Sequence, residues 1–173
     1  MPRLFFAVPL AADLQRKLFA SFHQKPFHGI RFTPQENLHL TVHFLGSTEE
    51  GKLEEIIRQT EIIAESFSSF EMKFAFFKIV FHEKKPVMIW AAFEENAAFE
   101  KLCLRLRKSF PTEEKRKPDP HITMARIKQL KTLPFAIPFI GPFSFMADHL
   151  ELWESKLHSE GSIYRMIQSR KLK

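Results

Sequence analysis

The chain has 173 residues, enough for one domain or two small lobes sharing a core. Its hydrophobic share of 45% and charged share of 27% are those of an ordinary globular protein, and no apolar run reaches the roughly 18 residues of a membrane span. One cysteine, Cys103, excludes an internal disulfide framework, and the net charge of +6 fits either a lysine-rich surface or one that attracts a polyanion.

Residues 3 to 9 read as an apolar strand rather than a signal peptide, so a cytoplasmic protein is expected. Residues 11 to 23 have helical spacing, with Leu14, Leu18 and Phe22 on one face. A short strand at 30 to 32 precedes a turn at Pro34. Residues 38 to 45 alternate, with Leu38, Leu40, Val42 and Phe44 inward and His39, Thr41 and His43 outward, up to Gly46. Ser47 and Glu50 form a capping box for a helix that runs to about Phe67. A strand over 70 to 81, a turn at 83 to 86 and a strand over 87 to 93 follow. The run Phe74-Ala75-Phe76-Phe77 reads as core rather than a base-stacking platform, in a chain holding 20 phenylalanines. Asn96 caps a helix carrying Phe99, Leu102 and Leu106. A charged, proline-punctuated loop spans 111 to 120, and residues 122 to 127 are a strand. Pro134, Pro138 and Pro142 break up the next stretch, and a strand pair at 143 to 153 and 163 to 169 closes the chain.

Two of these strands carry the same pattern of histidine, aliphatic residue, threonine, aliphatic residue. They are His39-Leu40-Thr41-Val42 and His121-Ile122-Thr123-Met124. Alternation puts each His and Thr on one face and the aliphatic residues on the other. Imidazoles exchange protons near neutral pH, so two of them can divide the proton transfers of a phosphodiester displacement. Thr41 and Thr123 offer hydroxyl donors for non-bridging oxygens, and Arg126 offers a phosphate-matching fork. Arg126 lies five residues past His121, so it reaches the same face only if the strand bends, ends or bulges. His43 lies on the His39 face or simply meets solvent. His23, His28, His82, His149 and His158 read as structural or surface residues. The basic clusters Lys115-Arg116-Lys117 and Arg170-Lys171-Leu172-Lys173 read equally as solvated segments or polyanion contacts.

Other chemistries find little support. His39 and His43 have a metal-ligand spacing for a helix, but the alternation argues for a strand, and neither an HExxH motif nor CxxC is present. No GxxxxGK[ST], GxGxxG or GxSxG appears.

The paired motifs resemble those of the two-histidine phosphoesterase superfamily. Arg3-Leu4-Phe5-Phe6-Ala7-Val8, Arg31-Phe32-Thr33-Pro34-Gln35-Glu36-Asn37-Leu38-His39-Leu40-Thr41, Phe44-Leu45-Gly46 and Pro120-His121-Ile122-Thr123-Met124-Ala125-Arg126 are similar to stretches of its bacterial and archaeal RNA 2′,3′-cyclic phosphodiesterases, first named for 2′-5′ RNA ligase activity. Ser155-Lys156-Leu157, Gly161 and Tyr164 are similar to the family's C-terminal hairpin. Phe32 stands where an indole is common, and His43 where lysine is common.

The resemblance implies an α+β, bilobal, duplicated fold occupying residues 1–173 as one domain. Its two antiparallel sheets would be related by a pseudo-twofold axis, with helices on the outer faces and the site in the cleft between lobes. It implies hydrolysis of a 2′,3′-cyclic phosphate at an RNA 3′ end to a 2′-phosphate, with no metal or cofactor, by a monomer. His39 and His121 become the acid and base pair, with His39 at the leaving 3′ oxygen and His121 at the water, or the reverse. Thr41, Thr123 and Arg126 become phosphate contacts, while His43, Phe32 and Tyr164 are expected to touch substrate. A 2′-5′ ligase acting on tRNA halves, a non-catalytic RNA-end binder and a phosphodiesterase for small cyclic nucleotides remain open at this point.

Overall fold

A computed structural model describes residues 1–22, 27–128, 130–158 and 161–173. Its elements run β1 (Arg3–Pro9), α1 (Ala12–Phe22), β2 (Ile30–Phe32), β3 (His39–Ser47), α2 (Leu53–Glu65), β4 (Phe70–His82), β5 (Lys85–Phe93), α3 (Ala97–Ser109), β6 (His121–Ile127), β7 (Ser144–Ala147), β8 (His149–His158) and β9 (Gly161–Lys171). His23 lies outside the described residues.

All described strand pairs are antiparallel, which confirms an α+β fold built on a large antiparallel sheet. The expected pair of separate sheets is replaced by one continuous sheet in the order β7-β4-β5-β6-β3-β1-β8-β9, with β2 also paired to β6. Its halves meet where β3 runs beside β6, and among the described residues Leu40 opposite Ile122 is their one register pair. Outward from this seam the two halves match: β3-β1-β8-β9 on one side, β6-β5-β4-β7 on the other.

One core spans both halves. Leu4, Phe6 and Val8 of β1, Leu40 and Val42 of β3, Ile122 and Met124 of β6 and Ile89 and Ala91 of β5 are buried together. The apolar stripes of the three helices join them: Leu14 and Leu18 of α1, Ile56 and Ile63 of α2, and Leu102 and Leu106 of α3. The helices therefore share one face of the sheet, and the motif His and Thr side chains occupy the other. A smaller apolar cluster of Phe5, Ala7 and Trp153, backed by Tyr164, lies on that second face.

Most elements fall where the periodicity puts them. Asn96 caps α3 as expected, its side chain accepting from the Ala98 and Phe99 amides at 3.0 and 2.9 Å. Glu83 and Lys84 both take positive φ in the two-residue turn between β4 and β5. The Ser47–Glu50 capping box does not form: β3 continues to Ser47, a 3-10 turn covers Glu50–Lys52, and Lys52 stands at the α2 N-cap. The single strand expected over 143 to 153 is two strands broken at Asp148. β7 pairs with β4 and β8 with β1, so this segment crosses from one end of the sheet to the other half.

Candidate active site

A β-bulge in each motif strand determines what reaches the open face. On β3, Ala7 pairs with Thr41 but Phe6 pairs with His43, so Val42 is one extra residue. On β6, Trp90 pairs with Thr123 but Ile89 pairs with Ala125, so Met124 is the extra residue. One inserted residue turns every later side chain to the opposite face. Arg126 thereby joins His121 and Thr123, meeting the condition its parity imposes, and lies opposite Met88.

The same device corrects the placement of His43. His43 faces Phe6 on the core side, is 3% exposed, and donates from Nε2 to the Phe110 carbonyl at 2.8 Å. Its ring also lines part of the cavity described below. Phe44 takes the open face instead, opposite Phe5 and 61% exposed, where the alternation had put it inward. Phe44 and Arg126 thus hold corresponding positions, each five residues past its motif histidine.

Both motif histidines are fixed in the same tautomer. His39 Nδ1 lies 2.7 Å from the Asn37 carbonyl, and His121 Nδ1 lies 2.7 Å from the Asp119 carbonyl. A carbonyl only accepts, so each Nδ1 carries its proton and each neutral ring keeps its Nε2 lone pair free. His39 Nε2 accepts from the Thr41 hydroxyl at 3.0 Å. His121 Nε2 has no hydrogen-bond partner among the described residues. The antiparallel pairing of Leu40 with Ile122 sets Thr41 on the His121 side and Thr123 on the His39 side.

The surroundings of the two rings differ. Phe5, Trp153 and Tyr164 enclose His39 at ring-centroid distances of 5.0, 5.1 and 5.3 Å. Burial in this box lowers its pKa to about 4, the Asn37 carbonyl opposing and the nearby His121 adding to the fall. His121 stacks on Trp90 at 3.6 Å with the planes 13° apart. Burial lowers its pKa too, against the opposing pull of the Asp119 carbonyl and carboxylate.

His39, Thr41, His121, Thr123, Arg126 and Tyr164 line one cavity of about 470 Å³. The 111–120 loop supplies the opposite wall with Glu114, Arg116, Lys117 and Asp119. Much of that charge is paired: Arg116 with Glu114 at 2.6 Å, Lys117 with Glu95 at 2.7 Å and Lys78 with Asp119 at 3.5 Å. Cys103 also reaches the cavity, but burial pushes its thiol up to about 12, which keeps it protonated and inert.

Of the residues expected at the site, Phe32 is displaced. It sits opposite Ala125 and packs toward Phe22 and Phe135, with centroids 6.1 and 6.2 Å away, on the core side. Sequence reasoning missed Trp90, the Phe5–Trp153 box and the two anchoring carbonyls. The carbonyls had a faint signal, since Asn37 and Asp119 each stand two residues before a motif histidine. Trp90 had none, because only the β5–β6 register brings it to His121.

A nine-stranded antiparallel sheet presenting two matched His–Thr pairs in one cavity defines a two-histidine phosphoesterase architecture. The chain belongs to the 2'-5' RNA ligase superfamily, whose model matches residues 13–158. It is 27% identical over 175 residues to the RNA 2',3'-cyclic phosphodiesterase of Methanocaldococcus jannaschii, covering 96% of this chain and 98% of that protein. It is also 27% identical over 176 residues to the protein of the same name in Thermotoga maritima, covering 95% and 92%. Among solved structures, TT0787 of Thermus thermophilus superposes with a TM-score of 0.84 at 26% identity over 98% of this chain and 97% of that one. E. coli LigT complexed with 3'-AMP shares the fold with a TM-score of 0.79 at 20% identity, over 99% of both chains.

Proposed function

We propose that this protein is an RNA 2′,3′-cyclic phosphodiesterase that opens the cyclic phosphate at an RNA 3′ end to a 2′-phosphate, using its own side chains and no metal. The observation that carries this reading is the matched setting of the two rings. Each is locked by a backbone carbonyl at Nδ1, and each stands in the same cavity beside a threonine hydroxyl. The names of the M. jannaschii and T. maritima relatives support it.

In this mechanism a water oxygen bonds to phosphorus while the bond from phosphorus to O3′ breaks. The water proton passes to His121 Nε2, which is unoccupied among the described residues. Protonated His39 gives its Nε2 proton to O3′. Once protonated, His39 no longer accepts from Thr41, and that hydroxyl turns to a non-bridging phosphate oxygen. Thr123 and Arg126 bind the remaining charge as it develops. His39 is neutral at pH 7 in the free protein. The anionic phosphate raises its proton affinity when substrate enters.

Incubation with an oligonucleotide 2′,3′-cyclic phosphate in EDTA tests this. Wild type should yield a 2′-phosphate end, and His39→Ala and His121→Ala should each lose about 100-fold or more in rate. Binding without turnover by wild type, or full turnover by either variant, would refute the proposal.

A further inference from the structure

The strand register places a second arginine beside the first. Arg31 of β2 lies directly opposite Arg126 of β6, so both point to the open face. Two like charges in facing positions repel, and such a pair is disfavoured in a sheet unless an anion joins it. None is supplied among the described residues. Neither arginine has a carboxylate partner among the described residues, and Arg126 reaches only the Met88 sulfur at 3.7 Å. By contrast, Arg116 and Lys117 of the cavity wall are each already paired with a carboxylate, and Lys78 pairs with the wall's Asp119.

The local backbone leaves room for this side chain. Gly161, at the start of β9, takes φ +136, and a Cβ built there would stand 3.2 Å from Arg31 Nη1. A larger residue would crowd the guanidinium from the hairpin side. That hairpin is itself tied down beside β2, where Asn37 Nδ2 donates to the Ser162 carbonyl at 3.2 Å. Arg31 lies on the strand next to Arg126, on the edge of β6 that β3 also uses, and is not part of the cavity lining. An anion held there is adjacent to the reacting phosphate, not the same one.

We infer that Arg31, with Arg126 beside it, forms a second phosphate subsite that holds the internucleotide phosphodiester next to the cyclic end, so that the protein prefers a strand to a mononucleotide. The inference rests on the cyclic phosphodiesterase reading given above. A nucleoside 2′,3′-cyclic phosphate carries only the reacting phosphate, whereas a dinucleotide ending in the same cyclic phosphate carries one more.

The test compares kcat/KM for these two substrates with wild type, Arg31→Ala and Arg31→Lys. Arg31→Ala should lose about tenfold on the dinucleotide and leave the mononucleotide unchanged, with Arg31→Lys recovering part of the loss. The log–log salt dependence of oligonucleotide binding should flatten by about 0.7 in Arg31→Ala, the share of one phosphate contact on a single strand. Equal losses on both substrates, or no loss on either, overturn the subsite. If wild type turns over neither substrate, the cyclic phosphodiesterase reading fails instead. The salt slope of binding then still decides the subsite: a slope unchanged in Arg31→Ala overturns it.

Discussion

Replacing His39 with phenylalanine should make the protein less sensitive to acid. Phenylalanine keeps a ring among Phe5, Trp153 and Tyr164 but cannot be protonated. In the wild type, burial holds the imidazole at about 4 against an ordinary 6.5. The unfolded chain therefore binds this proton first as pH falls. The contribution to stability is complete above 6.5 and drains away down to about 4. At about 1.36 kcal/mol per pH unit, the loss between about pH 7 and about pH 4.5 is at most about 2 to 3 kcal/mol. The ring keeps some exposed surface, and solvent screening brings the expected figure to about 2 kcal/mol. Urea unfolding followed by circular dichroism at the two pH values measures this directly. Wild type should lose about 2 kcal/mol more than His39→Phe, because His43 and His121 titrate in both proteins and cancel. Parallel losses would show that the aromatic box does not disfavour the imidazolium.

Turnover should carry the same signature. A plot of kcat/KM against pH should be bell-shaped with its maximum below about pH 6.5, since both motif histidines lie below their ordinary value. Below about 4 both rings are protonated and the base is lost; above the depressed value of His121 both are neutral and the acid is lost. An optimum at or above about pH 7.5 would contradict this. His43→Leu, by contrast, should act on stability. It leaves the Phe110 carbonyl without its donor and should cost about 1 to 3 kcal/mol in thermal or urea unfolding, with KM held within about twofold. A large rise in KM at unchanged stability would return His43 to the substrate.

The periodicities that place helices and strands are local, and they were legible. The 3.6-residue stripe of Leu14, Leu18 and Phe22 and the alternation around His39 and His121 follow from side-chain direction within one element. The bulges at Val42 and Met124 are not local. They arise from how β3 and β6 register against β1 and β5, and nothing in either motif announces an extra residue. That is why Arg126 depended on a bend the motif itself does not show, and why His43 and Phe44 exchanged faces relative to strict alternation. Phe32 followed the same logic, its side settled by pairing with Ala125. The break at Asp148 was hidden because one apolar run serves two strands in different halves of the sheet.

The corresponding stations of Phe44 and Arg126 give the groove a polarity. One flank is oily and the other cationic, at equal steps from the two imidazoles. A nucleic acid strand, with rings on one side of its sugar and charge on the other, cannot lie equally well in both directions. The attacking and departing oxygens would then be told apart before any proton moves, although the histidine–threonine frame that handles them is nearly symmetric.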